Sequence, residues 1–126
     1  MFDISNEGII SVNRGDSFET PLFINQGTEI APIRYELTEN DELYFAVMEP
    51  NQRFESAIIR KVYTVDSDKT EEGDILIKFS PTDTEYLLPG KYYYTVKLRT
   101  HTGEGEEEND YTVQTIIPQK EFYVVR

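Results

Sequence analysis

The sequence has no cysteine, no tryptophan and a single histidine, His101, and its 12 Lys and Arg stand against 24 Asp and Glu over 126 residues. Each shortage excludes something. Without cysteine there is no disulfide framework, no thiol nucleophile and no Cys-based zinc site, so stability must come from a packed core. The formal net charge of −12 repels phosphate backbones and anionic lipid, so neither nucleic acid nor a membrane is expected as a partner. No run approaches the roughly 20 apolar residues of a membrane-spanning helix. The opening MFDISNEG puts Asp3 and Glu7 where a signal peptide carries basic residues. With 38% hydrophobic residues, one compact domain over residues 1–126 is expected, burying roughly two-thirds of its unfolded surface.

The apolar residues that are present are mostly aromatic and β-branched, in short runs punctuated by Gly, Pro, Asn and Asp. This is the pattern of an all-β sandwich or barrel. From Phe18 to Ile24 the period is 2: Phe18, Thr20, Leu22 and Ile24 share one face, Glu19, Pro21 and Phe23 the other. Pro21 cannot donate to a ladder, which places this strand at a sheet edge or a bulge. Further strands are predicted at about Ile9 to Asn13, Ile33 to Leu37, Leu43 to Met48, Ala57 to Val65, Asp74 to Phe79, Tyr92 to Arg99, Tyr111 to Ile117 and Glu121 to Val125. Residues 81–88 read as one short helical turn, with Ser80 as N-cap, Pro81 at the first helical position and Asp83 at the third. Leu88-Pro89-Gly90 then stops it, and Tyr92, Tyr94, Val96 and Leu98 alternate down the following strand. A short helical crossover, a Leu-Pro-Gly corner and a tyrosine-led strand match the corner of an immunoglobulin-like sandwich, where a Tyr hydroxyl bonds back to the backbone. Tyr92 or Tyr94 fills that role.

Residues able to carry chemistry are few. His101 lacks a strand-to-helix serine elbow to serve, so a solvated loop histidine is expected rather than a general base. The acidic stretches Asp66 to Asp74 and Glu104 to Asp110 read as solvated hairpin tips; Asp66, Asp68, Glu71, Glu72 and Asp74 resemble a calcium set only superficially, since the EF-hand spacing is absent. Paired carboxylates are the apparatus of a glycosidase, but no tryptophan is available to line a sugar cleft. Arg14-Gly15-Asp16-Ser17 contains the tripeptide read by integrins; physically it is a tight turn between two strands. No catalytic residue, cofactor or metal is therefore expected. The candidate interface is instead Pro21 and Phe23 on the edge strand, with Tyr44, Tyr63, Tyr93 and Tyr123 on outward faces, because tyrosine offers a large apolar area with a polar tip. The alternative is that loops cover these faces or that the strand parity is shifted by one.

Four ordered segments resemble small phage structural proteins: Ser11-Val12-Asn13-Arg14-Gly15-Asp16-Ser17-Phe18, Tyr44-Phe45-Ala46-Val47, Pro81 to Thr84 with Leu88 to Tyr94, and Thr115 to Pro118 with Phe122 to Val125. The family they resemble is the immunoglobulin-like N-terminal domain of phage baseplate upper proteins. The resemblance spans nearly the whole chain, and its motifs mark a fold rather than a catalytic site. It implies a non-enzymatic virion component made in the host cytoplasm: a tail or baseplate adaptor, or a head decoration or fibre-attachment protein. Its partners would be other virion proteins or a second copy of itself. A module that binds carbohydrate or the host surface is the alternative on the same fold.

Overall fold

A computed structural model describes residues 3–4, 8–26, 28, 30–31, 33–101 and 111–126. The protein is an all-β sandwich of eight strands: β1 (Asp3–Ile4), β2 (Ile10–Asn13), β3 (Phe18–Leu22), β4 (Asp41–Met48), β5 (Ile59–Tyr63), β6 (Ile75–Phe79), β7 (Gly90–His101) and β8 (Tyr111–Val125). The large sheet has the order β1-β2-β8-β7-β4-β5, and β3-β6 forms the small one. With β3, β4, β6, β7 and β8 as strands B, C, E, F and G, and β5 as C′, this is the immunoglobulin arrangement. The expected sandwich is antiparallel throughout except at one junction, where β2 runs parallel to β8.

Alternation puts one face of each sheet into a shared core. Phe18 and Phe79 of the small sheet meet Phe45, Tyr94 and Phe122 of the large one, with Phe18 stacked on Phe79 at 4.6 Å and Phe45 on Tyr94 at 5.3 Å between ring centroids. Tyr94 lies two residues after the corner tyrosine, where antibody domains carry the second cysteine of their inter-sheet disulfide. Aromatic packing thus stands where those domains have a covalent link.

The corner forms as the sequence predicts, and Tyr92 is its tyrosine: its hydroxyl donates to Leu88 O at 2.7 Å. Tyr94 instead sends its hydroxyl to Gly8 O. The helical turn is α1 (Pro81–Thr84), shorter than the expected 81–88. The Asp83 carboxylate accepts from Ser80 N at 2.7 Å and binds Lys61 Nζ at 2.8 Å. Gly90 leaves the corner with φ 155° and open space around it.

Three expectations are corrected. Ile33–Leu37 is not a strand. Its pairing stops at a single bridge, Asn25 with Arg34, flanked by two backbone bonds, Gln26 N donating to Ile33 O at 2.9 Å and Tyr35 N to Ile24 O at 2.8 Å; amide side chains take neighbouring groups, Asn25 Oδ1 accepting from Ile33 N and Gln26 Nε2 donating to Arg34 O. Tyr111 to Ile117 and Glu121 to Val125 are one strand, because Pro118 sits where the β7–β8 register shifts between Tyr94 and Val96. A bulge there needs no N–H from proline, so the strand passes through it. Tyr63, expected outward, is buried. β5 points Ile59, Lys61 and Tyr63 inward; each face of this strand carries one cation, Arg60 or Lys61, so alternation alone does not tell the faces apart. Lys61 is accommodated by reaching Asp83 from the sheet edge.

The segment before β4 covers the part of the large sheet that the small one leaves open, with Leu37 buried and Tyr35 packed against the core. It is anchored by Asp41, 1% exposed, whose carboxylate accepts from Tyr35 (2.6 Å), Thr38 N (2.8 Å), Thr38 Oγ1 (3.2 Å) and Thr100 Oγ1 (2.6 Å). Burial pushes the carboxyl up, but the bonds from Thr100, Tyr35 and Thr38 outweigh it and hold Asp41 below the ordinary 3.8. The same contact pushes the Tyr35 phenol up to about 12.

A depressed folded-state value contributes stability that is fully present above the unfolded value and lost as pH falls through the folded one. Asp41→Asn is therefore expected to cost about 3 kcal/mol at neutral pH and to flatten part of the acid limb of the stability profile below a pH of about 4. Urea midpoints of variant and wild type across that range check this; an unchanged acid slope would contradict it. Tyr92→Phe is expected to keep the fold and lose about 1 kcal/mol, the value of one hydroxyl bond to a solvent-reachable carbonyl; thermal melts provide the measurement.

Candidate functional site

Among the described residues, no second layer of strands covers the outer face of the large sheet. β4 presents Tyr44 there, opposite Val62 of β5 and Lys97 of β7, and the registers continue the face through Arg99 opposite Val113 and His101 opposite Tyr111. The β4–β5 connection folds back over this face. Asn51 takes φ 68° in its turn, Gln52 N donates to Glu49 O at 3.1 Å, and a 3₁₀ turn, Phe54–Ser56, lays the Phe54 ring edge-on to Tyr44 at 6.1 Å. Phe54 lines two hollows: one of about 370 Å³ reaching Arg99, Tyr111 and Val113, the other of about 300 Å³ reaching Met48, Thr115 and Pro118.

Cations cluster on the rings of the first hollow. Lys97 Nζ lies 4.7 Å and Arg60 5.0 Å from the Phe54 centroid, and Arg99 lies 4.0 Å from that of Tyr111. Each such contact contributes about 0.5–1 kcal/mol at an exposed site. Among the described residues no carboxylate forms an ion pair with Arg60, Lys97 or Arg99, whereas Arg34, Lys61, Lys78 and Lys91 pair with Asp74, Asp83, Asp68 and Glu121. Arg99 Nε is shielded from solvent with no acceptor.

The predicted interface residues do not form one patch. Tyr44, Tyr93 and Tyr123 share the outer face, all half-buried, but Tyr93 and Tyr123 lie at the far end of it. There Lys91 sits over the Tyr93 ring at 5.5 Å, and the Tyr123 hydroxyl binds Glu121, which raises the phenol and lowers the carboxyl from their usual values. Pro21 and Phe23 belong to the small sheet's side: Pro21 pairs with Leu76, and Phe23, 42% exposed, lies under Arg34. Tyr63 is lost to the core, where its hydroxyl accepts from Lys78 N. Of the corner residues, Leu88, Pro89 and Gly90 are exposed, and Tyr92 and Tyr94 are buried. Phe54, Arg60, Lys97, Arg99 and Tyr111 escaped sequence reasoning, since nothing in period or spacing tells that a loop phenylalanine will fold over a sheet.

The other candidates resolve into structure. His101 closes β7 with its ring 3.0 Å from Glu42 Oε1. Asp68 and Asp74 are engaged by Lys78 and Arg34, and no group of three or more His, Asp or Glu among the described residues stands close enough to hold a metal ion. The acidic run Glu104 to Asp110 lies outside the described residues. In the Arg14–Asp16 turn, Gly15 takes φ 82°, and its N–H donates to Thr84 Oγ1 at 2.9 Å while Arg14 N donates to Val125 O at 2.7 Å. The tripeptide is thus clamped between α1 and β8.

Fold and face together describe an all-β sandwich that, among the described residues, gathers rings and cations on the outer face of its large sheet. Comparison with protein-family models, curated proteins and solved structures finds no match. If the cationic face serves association rather than stability, removing the unmet Arg99 donor while keeping its apolar stem should cost little. Arg99→Met is expected to stay within about 1 kcal/mol of wild type. A larger loss in urea melts would show that the guanidinium has a structural task.

Proposed function

We propose that this protein is a non-catalytic structural component of a tailed-phage virion, an immunoglobulin-like adaptor or decoration module that acts by binding other virion proteins. The observation that carries the proposal is the outer face of the large sheet, where Tyr44, Tyr93, Tyr111 and Tyr123 combine ring area with polar tips and Phe54 adds an apolar ring. Aromatic residues and arginine are the side chains that concentrate binding energy at protein interfaces. The whole-chain resemblance to the N-terminal domain of baseplate upper proteins supports the same reading. Sugar binding is less well supported, because the rings of Phe54 and Tyr111 already carry Lys97, Arg60 and Arg99 and are not bare platforms for a pyranose.

Mass spectrometry of purified virions of the encoding phage is expected to find the chain at a copy number stoichiometric with a tail, baseplate or head component. Its absence from intact particles would sink the assignment.

A further inference from the structure

Most strand edges in this sandwich carry a feature that discourages pairing. β3 has Pro21, without an N–H, beside exposed Glu19; β5 is only five residues long and carries Arg60 and Lys61; β6 carries exposed Lys78. Such features keep edges from adding strands. β8 differs. β2 flanks it only over Phe122–Val125, while β7 pairs it all the way to Tyr111, so among the described residues Tyr111–Ile117 has a ladder on one side alone. Tyr111 to Gln119 is a stretch of nine residues without a charge in a chain that is 29% charged. Tyr111 to Thr115 are all exposed, and their register with β7 is regular; the shifts come after Thr115.

We infer that this edge pairs with the same edge of a second copy of the chain, antiparallel about Val113, so that two large sheets join edge to edge. Charge permits this occupant and sets the direction. Two chains of −12 repel, and this strip lets their backbones meet without placing like charges in contact. The acidic run Glu104 to Asp110 directly precedes Tyr111 in sequence. Antiparallel pairing sends the two runs out at opposite ends of the ladder, whereas parallel pairing would set them side by side. Centring on Val113 opposes Tyr111 with Thr115, Thr112 with Gln114, and Val113 with itself, giving aromatic–β-branched, polar and β-branched pairs of the kind that stabilise sheets. Pro118, lacking an N–H, closes the ladder before β2 begins. The interaction is isologous, as two-fold dimers require, and it does not rest on the virion assignment.

Sedimentation equilibrium of the full chain, over a series reaching on the order of 100 µM as suits a small interface, is expected to show a monomer–dimer equilibrium. Hydrogen exchange at the amides of residues 111–117 should slow as concentration rises. Two double variants at exposed positions test the pairing itself: Thr112→Lys with Gln114→Lys, and Thr112→Glu with Gln114→Glu. Each alone should weaken association by about tenfold or more, and an equimolar mixture should restore it. A wild type that stays monomeric throughout, charge variants that associate like wild type, or a mixture that fails to recover would each overturn the proposal. The exchange measurement on wild type decides the matter even where a variant loses its melting transition.

Discussion

The Asp41 carboxylate is the interaction on which the sandwich depends, because the second layer is too small for the first. Two five-residue strands cannot cover the inner face of a six-stranded sheet. The remainder is covered by a segment whose pairing is one bridge, Asn25 with Arg34, and whose continuation up to β4 is tied down by side chains. Asp41 stands at the first residue of β4, opposite Thr100 of β7, and from there collects donors from Tyr35, Thr38 and Thr100. A buried charge is tolerated only when its acceptor sites are filled. Here the filling groups are the ones that need to be held, so the hydrogen bonds that offset the cost of burying the carboxylate also order the segment.

A second set of ties runs through α1, a helix of four residues that could not persist alone. Asp83 receives Lys61 from β5, and Thr84, fully buried, receives the Gly15 N–H from the β2–β3 turn. The crossover therefore binds an edge strand of the large sheet to a turn at the other side of the sandwich. Beneath it the aromatic cluster of Phe18, Phe45, Phe79, Tyr94 and Phe122 fills the centre. Rings fill the position of the inter-sheet disulfide without redox chemistry, and the Tyr63 hydroxyl of β5, accepting from Lys78 N of β6, adds a hydrogen bond between the sheets.

Legibility followed locality. The β3 alternation and the Leu88 to Tyr94 corner were readable, because each depends on neighbours within ten residues. Tyr63 was misread because Arg60 and Lys61 put a cation on each face of the strand, and what turns Lys61 inward is a distant acid, Asp83. Ile33 to Leu37 has strand composition yet forms only the bridge of Arg34 with Asn25, and the side chains of Asn25 and Gln26 add further bonds to its backbone. The candidate face was legible only at Tyr44, Tyr93 and Tyr123. Its wedge, Phe54, comes from a connection whose return over the sheet is a tertiary event with no periodic trace.

The charge distribution separates surfaces that keep others away from surfaces that can receive them. Arg34, Lys61, Lys78 and Lys91 are spent on ion pairs within the molecule, while Arg60, Lys97 and Arg99 are held on aromatic rings of the outer face. Net charge acts over about a Debye length, some 8 Å at physiological salt; what happens inside that distance is set by the local strip. Along β8 the strip is neutral, and it adjoins the cationic face at Tyr111 and Val113, since Arg99 lies over the Tyr111 ring and opposite Val113. A two-fold axis through an antiparallel strand pair stands perpendicular to the sheet, so the outer faces of two joined copies look the same way. Edge pairing would therefore leave both aromatic faces open and merge them into one broader surface.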